Sequence, residues 1–130
     1  NNIIFVGKVN DYQKKYLFKR AQIMIMPTLD ETKNRSIEGF GIAYIEAAYF
    51  AIPSIASSVG GTPEAVIDNY TGKIINNIDE LFTTVRGLLL DKNKVIKLGQ
   101  NAKKRAKEEF NWDFITNKYL SLIEIVTKNN

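Results

Sequence analysis

The sequence predicts an α/β fold in which a parallel sheet carries helices on both faces. Three observations lead there. Short apolar runs closed by glycine or proline alternate with segments of helical periodicity. Strands that alternate with helices in this way form βαβ units, whose crossovers make the sheet parallel and cover its faces. The chain has 130 residues, 45% of them hydrophobic and 25% charged, which fits one globular core.

The elements follow in order. "IIFV" at 3–6 reads as a buried strand that ends at Gly7. Asp11 is the expected cap of the next helix, where Tyr12, Tyr16, Leu17 and Ala21 recur at helical spacing. "IMIM" at 23–26 reads as a second buried strand, stopped by Pro27. The polar stretch "LDETKNRSI" at 29–37 is a loop, and a helix covers 41–51. Residues 53–57 form a third strand, and "VGGTP" turns into a short helix with Pro63 in its first turn. "NYTGK" is a turn before a fourth strand at 73–76. The rest is helical. Segment 79–90 presents Leu81, Val85, Leu88 and Leu89, and 94–110 presents Val95, Leu98, Ala102 and Ala106. The last helix, 113–127, carries Ile115, Tyr119, Ile123 and Val126 next to Trp112.

Composition removes several chemistries. The chain has no cysteine, so disulfides and thiolate metal sites are excluded within it. It has no histidine either, which removes the commonest general base and rules out Ser-His-Asp and Cys-His arrangements within the chain. A net charge of +4 suits an anionic ligand or a weak membrane-surface contact and does not by itself indicate nucleic acid. No apolar run approaches the ~18 residues of a membrane span. The N-terminus, "NNIIFVGKVND", lacks the pattern of a signal peptide and starts abruptly on a strand-like run, so a fragment of a longer chain is expected.

Parallel sheets bind ligands beyond the carboxyl ends of their strands, where the 31–43 loop and the 57–64 turn fall. Gly39, Phe40 and Gly41 open a helix whose free amides and dipole suit phosphate. A third glycine and a Gly-Lys-Ser/Thr are both missing, so this is neither a dinucleotide fingerprint nor a P-loop. A plain helix-start turn remains open beside the phosphate reading. Glu46 stands within Ile42, Ala43, Tyr44, Ile45 and Ala47, Ala48, Tyr49, Phe50, with no basic residue near it in sequence. A carboxylate there must turn to the surface, pair with a distant Lys or Arg, or face a cleft and accept ligand hydroxyls. Vicinal ribose hydroxyls suit it, since one carboxylate takes two donors. Gly60, Gly61 and Glu64 form a second turn into a helix, better read as structural than as a ligand contact. Seven basic residues at 92, 94, 97, 103, 104, 105 and 107 favour a solvated helix face over a membrane-surface role.

Five segments occur in one order: "FVGKV" at 5–9, "AQIMIMPT" at 21–28, "EGFGIAYIEA" at 38–47, "PSIASSVGGTPEAV" at 53–66 and "TGKII" at 71–75. Together with the closing Asn111-Trp112 helix they resemble the C-terminal, donor-binding half of retaining GT-B glycosyltransferases of family 4, the group 1 type. Glu38 and Glu46 have the family's Glu, seven residues, Glu spacing, and the likeness covers essentially the whole chain.

The resemblance implies a Rossmann-like donor domain over 1–110, which is partial, and a crossover helix over 111–130. It gives Glu38 the donor-sugar hydroxyls and the candidate catalytic role. Gly39, Phe40 and Gly41 would lie along the sugar and distal phosphate, and the amides of Ile42 and Ala43 would bind diphosphate. Glu46 would take the ribose, Val9 would lie near the base, and Gly60, Gly61 and Glu64 would line the cleft. The implied reaction moves a sugar from a nucleotide-diphosphate sugar to a saccharide or lipid-linked acceptor, with no metal and no other cofactor. The acceptor would sit on an N-terminal domain outside this chain, and the family's diphosphate-clamping Arg and Lys have no counterpart here. The chain alone is therefore expected not to catalyse transfer, and apolar surface around Trp112 and Tyr119 is expected to drive self-association. The implied location is cytoplasmic or peripheral at the cytoplasmic membrane face. A non-catalytic nucleotide-binding or protein-interaction module is the alternative. A phosphorylase would need a pyridoxal phosphate lysine, for which no lysine here has a recognisable context.

Overall fold

The structure, a computed structural model, describes residues 2–28 and 39–128. The loop expected at 29–37 and Glu38 lie outside the described residues. The elements are α1 (Asp11–Arg20), β1 (Met24–Met26), α2 (Ile42–Tyr49), β2 (Ser54–Ser57), α3 (Thr62–Ala65), β3 (Gly72–Ile75), α4 (Glu80–Leu90), α5 (Lys92–Glu109) and α6 (Trp112–Lys128).

The three strands form one parallel sheet in the order β1-β2-β3. Ile25 pairs with Ile55 and Met26 with Ala56; Ala56 in turn pairs with Ile74 and Ser57 with Ile75. Side chains alternate across the sheet, so this register separates two faces. Met24, Met26, Ala56 and Ile74 meet Tyr44, Ile45 and Ala48 of α2, Ala65 of α3 and Ala102 and Ala106 of α5. Ile55 and Ile75 meet Leu81, Val85 and Leu88 of α4 and Val95 and Leu98 of α5. The predicted parallel sheet with helices on both faces is what the chain builds. Strands in sequence order, joined by crossovers of one hand, place α2 and α3 on the same side, and α4 covers the other.

Residues 3–6 are not a strand. They pair with nothing among the described residues, and Ile4 and Phe5 are 83% and 94% exposed. A strand needs an in-register neighbour, and among the described residues β1, at the sheet edge, bonds only to β2. Asp11 is not the cap of α1. Asn10 holds that place, accepting from the Gln13 N–H while the Gln13 side chain accepts from the Asn10 N–H. The predicted apolar stripe of α1 also faces outward, for Tyr12, Tyr16, Leu17 and Ala21 are exposed. The helix meets α2 through Phe18, stacked on Phe50 with ring centroids 5.5 Å apart, and through Lys14. Leu89 of α4 is exposed, and α6 buries none of its residues. None of the described helices is long and apolar enough to cross a membrane.

Two features of the frame can be tested. A methyl on Gly99 would meet the Ala51 carbonyl oxygen at 2.0 Å, whereas one on Gly87 would meet nothing within 4 Å. Gly99→Ala is expected to lower stability by about 1–3 kcal/mol. Gly87→Ala in mid-helix should raise it by roughly 0.5–1 kcal/mol. Urea unfolding of the two variants checks both signs.

Asp68 precedes β3. It accepts from the Ile74 N–H at 2.9 Å and pairs with Lys73 at 3.0 Å. Burial pushes its carboxyl up, but those bonds outweigh it and hold the group below its ordinary 3.8. Its contribution is therefore complete above that value and is lost as pH falls through the lower folded one. Asp68→Asn should be less stable than the parent at about pH 7, and the gap should close toward about pH 2. Urea midpoints at both pH values measure it.

Candidate functional site

The two glycine turns meet backbone to backbone. A Cβ on Gly61 would lie 1.9 Å from the Gly39 carbonyl oxygen and 3.3 Å from the Phe40 Cα, so only glycine lets the second turn touch the first. Gly41, the N-cap of α2, is left-handed with φ 83°. A Cβ there would meet the Tyr44 ring at 2.4 Å. The buried Tyr44 ring fills the space that Gly41 leaves, and its hydroxyl donates to the Met26 carbonyl at 2.5 Å. That bond ties the start of α2 to the end of β1. In the other turn the buried Thr62 hydroxyl bonds back to the Ser57 and Val59 carbonyls and fixes the loop around Gly60.

The amino end of α2 is open. Among the described residues no side chain caps it; its first turn has no acidic residue, and Ile42 is exposed. Phe40 packs beside Phe110, with ring centroids 5.5 Å apart, and Arg105 lies over the other ring at 4.8 Å. Arg105 donates to the carbonyls of Glu64 at 2.9 Å and Ala65 at 3.1 Å, and to the Glu109 carboxylate at 2.8 Å. It therefore does not belong to the solvated basic face expected for α5. It braces the end of α3 against the Phe110 and Phe40 pair. The Glu64 side chain is exposed, and it is the main-chain carbonyl of this residue that is used.

Glu46 does not face the core. Tyr44, Ile45, Ala47 and Ala48 supply the buried side of α2, while Glu46 turns toward α1 with its side chain 38% exposed. Lys14 Nζ donates to its Oε1 at 2.6 Å, and Asp11 lies 3.8 Å from the same ammonium. The hydrogen bond to Glu46 is the main cause that raises the Lys14 pKa above 10.5, so the ammonium persists at neutral pH. Asp11, Lys14, Lys15, Glu46, Tyr49 and the stacked phenylalanines line an open cleft of about 350 Å³.

Of the residues read from sequence, Gly39, Phe40, Gly41, Ile42, Ala43, Gly60 and Gly61 come together around the start of α2. Glu46 follows one turn later, about 6 Å along the axis. Val9 lines a different groove, along α1 with Val6, Tyr12, Gln13, Tyr16 and Leu17. Tyr44, Lys14 and Arg105 were not singled out in sequence. Only Tyr44 had a signal there, as an aromatic that shares a helix turn with a glycine.

A family model described as glycosyl transferases group 1 matches residues 1–105. Over 120 residues the chain is 27% identical to the GDP-mannose-dependent alpha-(1-6)-phosphatidylinositol monomannoside mannosyltransferase of Mycobacterium tuberculosis, covering 91% of this chain and 31% of that protein. Over 125 residues it is 29% identical to the O-antigen chain mannosyltransferase C of Escherichia coli, covering 94% and 32%. Among solved structures, sucrose-phosphate synthase from Thermosynechococcus elongatus superposes with a TM-score of 0.78 at 26% identity, covering 98% of this chain and 31% of that one. The chain thus spans about a third of the length of these relatives. With a parallel sheet, abutting glycine turns and a family match over most of its length, the chain belongs to the glycosyl transferases group 1 family.

Proposed function

We propose that this chain is the donor-binding part of a retaining glycosyltransferase, which moves a sugar from a nucleotide-diphosphate sugar to a saccharide or lipid-linked acceptor. The observation that carries the reading is the start of α2, which no described side chain caps, opened by two touching glycine turns and followed one turn later by a half-exposed carboxylate. The amides of Ile42 and Ala43 receive the diphosphate, where the helix dipole favours negative charge. That charge grows as the sugar–phosphate bond breaks, so fixed amides stabilise the transition state more than the ground state. Glu46 accepts the ribose hydroxyls, and Glu38 the hydroxyls of the sugar. Gly39, Phe40 and Gly41 lie along the sugar, and Gly60, Gly61 and Glu64 form the opposite lip.

The acceptor attacks the face that the leaving diphosphate occupies. The reading calls for no metal or cofactor beyond the donor. Support for a nucleotide-sugar donor comes from the family and from the printed name of the mycobacterial relative, which is GDP-mannose-dependent. That name and the O-antigen one support an acceptor that is lipid-linked or a saccharide chain.

Titration of the isotope-labelled chain with GDP and with UDP tests this. Amide shifts are expected at residues 39–46 with at least one of the two. Glu46→Ala should weaken binding about ten-fold, a loss of about 1.4 kcal/mol, while the thermal midpoint moves little. Shifts confined to the basic segment 92–107, or no shifts from a folded chain, would sink the reading.

A further inference from the structure

The contact between α1 and α2 repeats after one helical turn. Phe18 stacks on Phe50, and four residues earlier on each helix Lys14 meets Glu46. The ring stack fixes how the two helices face each other, and the ammonium then falls on the carboxylate at 2.6 Å. It takes only Oε1; among the described residues Oε2 accepts no hydrogen bond. Asn10 and Gln13 bond each other at the start of α1, which keeps the Lys14 backbone in place.

We propose that Lys14 is a positioning residue for ribose recognition: it holds Oε1 of Glu46 so that Oε2 is presented to the vicinal hydroxyls of a nucleoside diphosphate. The proposal rests on the reading of Glu46 as the ribose contact. A free glutamate samples several rotamers, and a ligand that bonds it must first freeze them. An ammonium anchored on a neighbouring helix selects one rotamer before the ligand arrives, which raises affinity without touching the ligand. The effect should be confined to hydroxyl recognition, because Lys14 reaches the carboxylate from the α1 side, one turn away from the diphosphate end of α2. An ion pair that merely joined two helices would influence stability and leave ligand discrimination alone.

Calorimetric titration compares the ribonucleoside diphosphate, GDP or UDP, whichever binds, with its 2′,3′-dideoxy form. The readout is the ribose preference, the ratio of the two affinities, in which any effect on the phosphates cancels. The parent chain should prefer the ribose form about ten-fold. Lys14→Met, which keeps most of the stem, should cut that preference at least about three-fold, and Lys14→Arg should restore most of it. In Glu46→Gln, Lys14→Met should add almost nothing, as expected for two residues acting as one unit. A preference lost in Glu46→Gln but unchanged or increased in Lys14→Met overturns the role of Lys14 and leaves that of Glu46 standing. A parent chain with no ribose preference overturns the role of Glu46 and this proposal with it.

Discussion

Much of this structure depends on one contact that has no side chain in it, the backbone of Gly61 against the carbonyl of Gly39. Because neither glycine carries a Cβ there, the turn that opens α2 and the turn after β2 close on one point. That closeness brings the start of α2, the turn around Gly60 and the Phe40 ring into one small region. A helix terminus binds anions only when its amides are reachable and uncapped. Here Gly41 begins the helix with no capping side chain among the described residues, and the space that its missing Cβ leaves is filled from below by Tyr44. The same tyrosine reaches the end of β1, so the position of the helix start follows from the sheet.

Helix α2 divides its work between two sides. One is sealed into the core by Tyr44, Ile45, Ala47 and Ala48. The other carries Ile42, Glu46 and Phe50 toward open space and α1. Small residues on the sealed side allow close approach to α5, whose Ala102 and Ala106 face them in the same cluster. The outer side needs no such closeness and holds the ionisable group. Arg105 belongs to a parallel arrangement on the far lip, where one guanidinium satisfies two carbonyls at the end of α3 and lies against an aromatic ring.

The sheet was legible in the sequence because its strands are short apolar runs with clear stops, such as Pro27 after Met26 and the glycines after Ser57. Residues 3–6 have the same composition and fail, since pairing depends on a neighbour that composition does not reveal. The face of α1 was misread for a related reason. Aromatic residues at helical spacing suggested a buried stripe, yet the side that docks holds Phe18 and the lysine needed by a carboxylate thirty-two positions away. The two glycine turns could be placed at the same end of the sheet from strand order, but their contact could not, because it depends on atoms that glycine lacks. Glu46 was legible as a residue in need of a partner. Which lysine answers it is a matter of packing between helices, beyond any local pattern. Arg105 was hidden among six neighbours of like charge, and what sets it apart, its hydrogen bonds to the carbonyls of Glu64 and Ala65, depends on how α5 packs against α3.

Helix α5 belongs to both cores at once. Leu98 closes the cluster under β2 and β3, while Ala102 and Ala106, one and two turns later, close the cluster beneath α2. Gly99 lies between them, against the corner that joins α2 to β2. The helix cannot lift from one layer and stay seated on the other. Partial opening that frays one side of the sheet alone therefore has no low-energy route. Slow amide exchange on both sides should be governed by one shared opening event, and the domain should lose its order as a single cooperative unit.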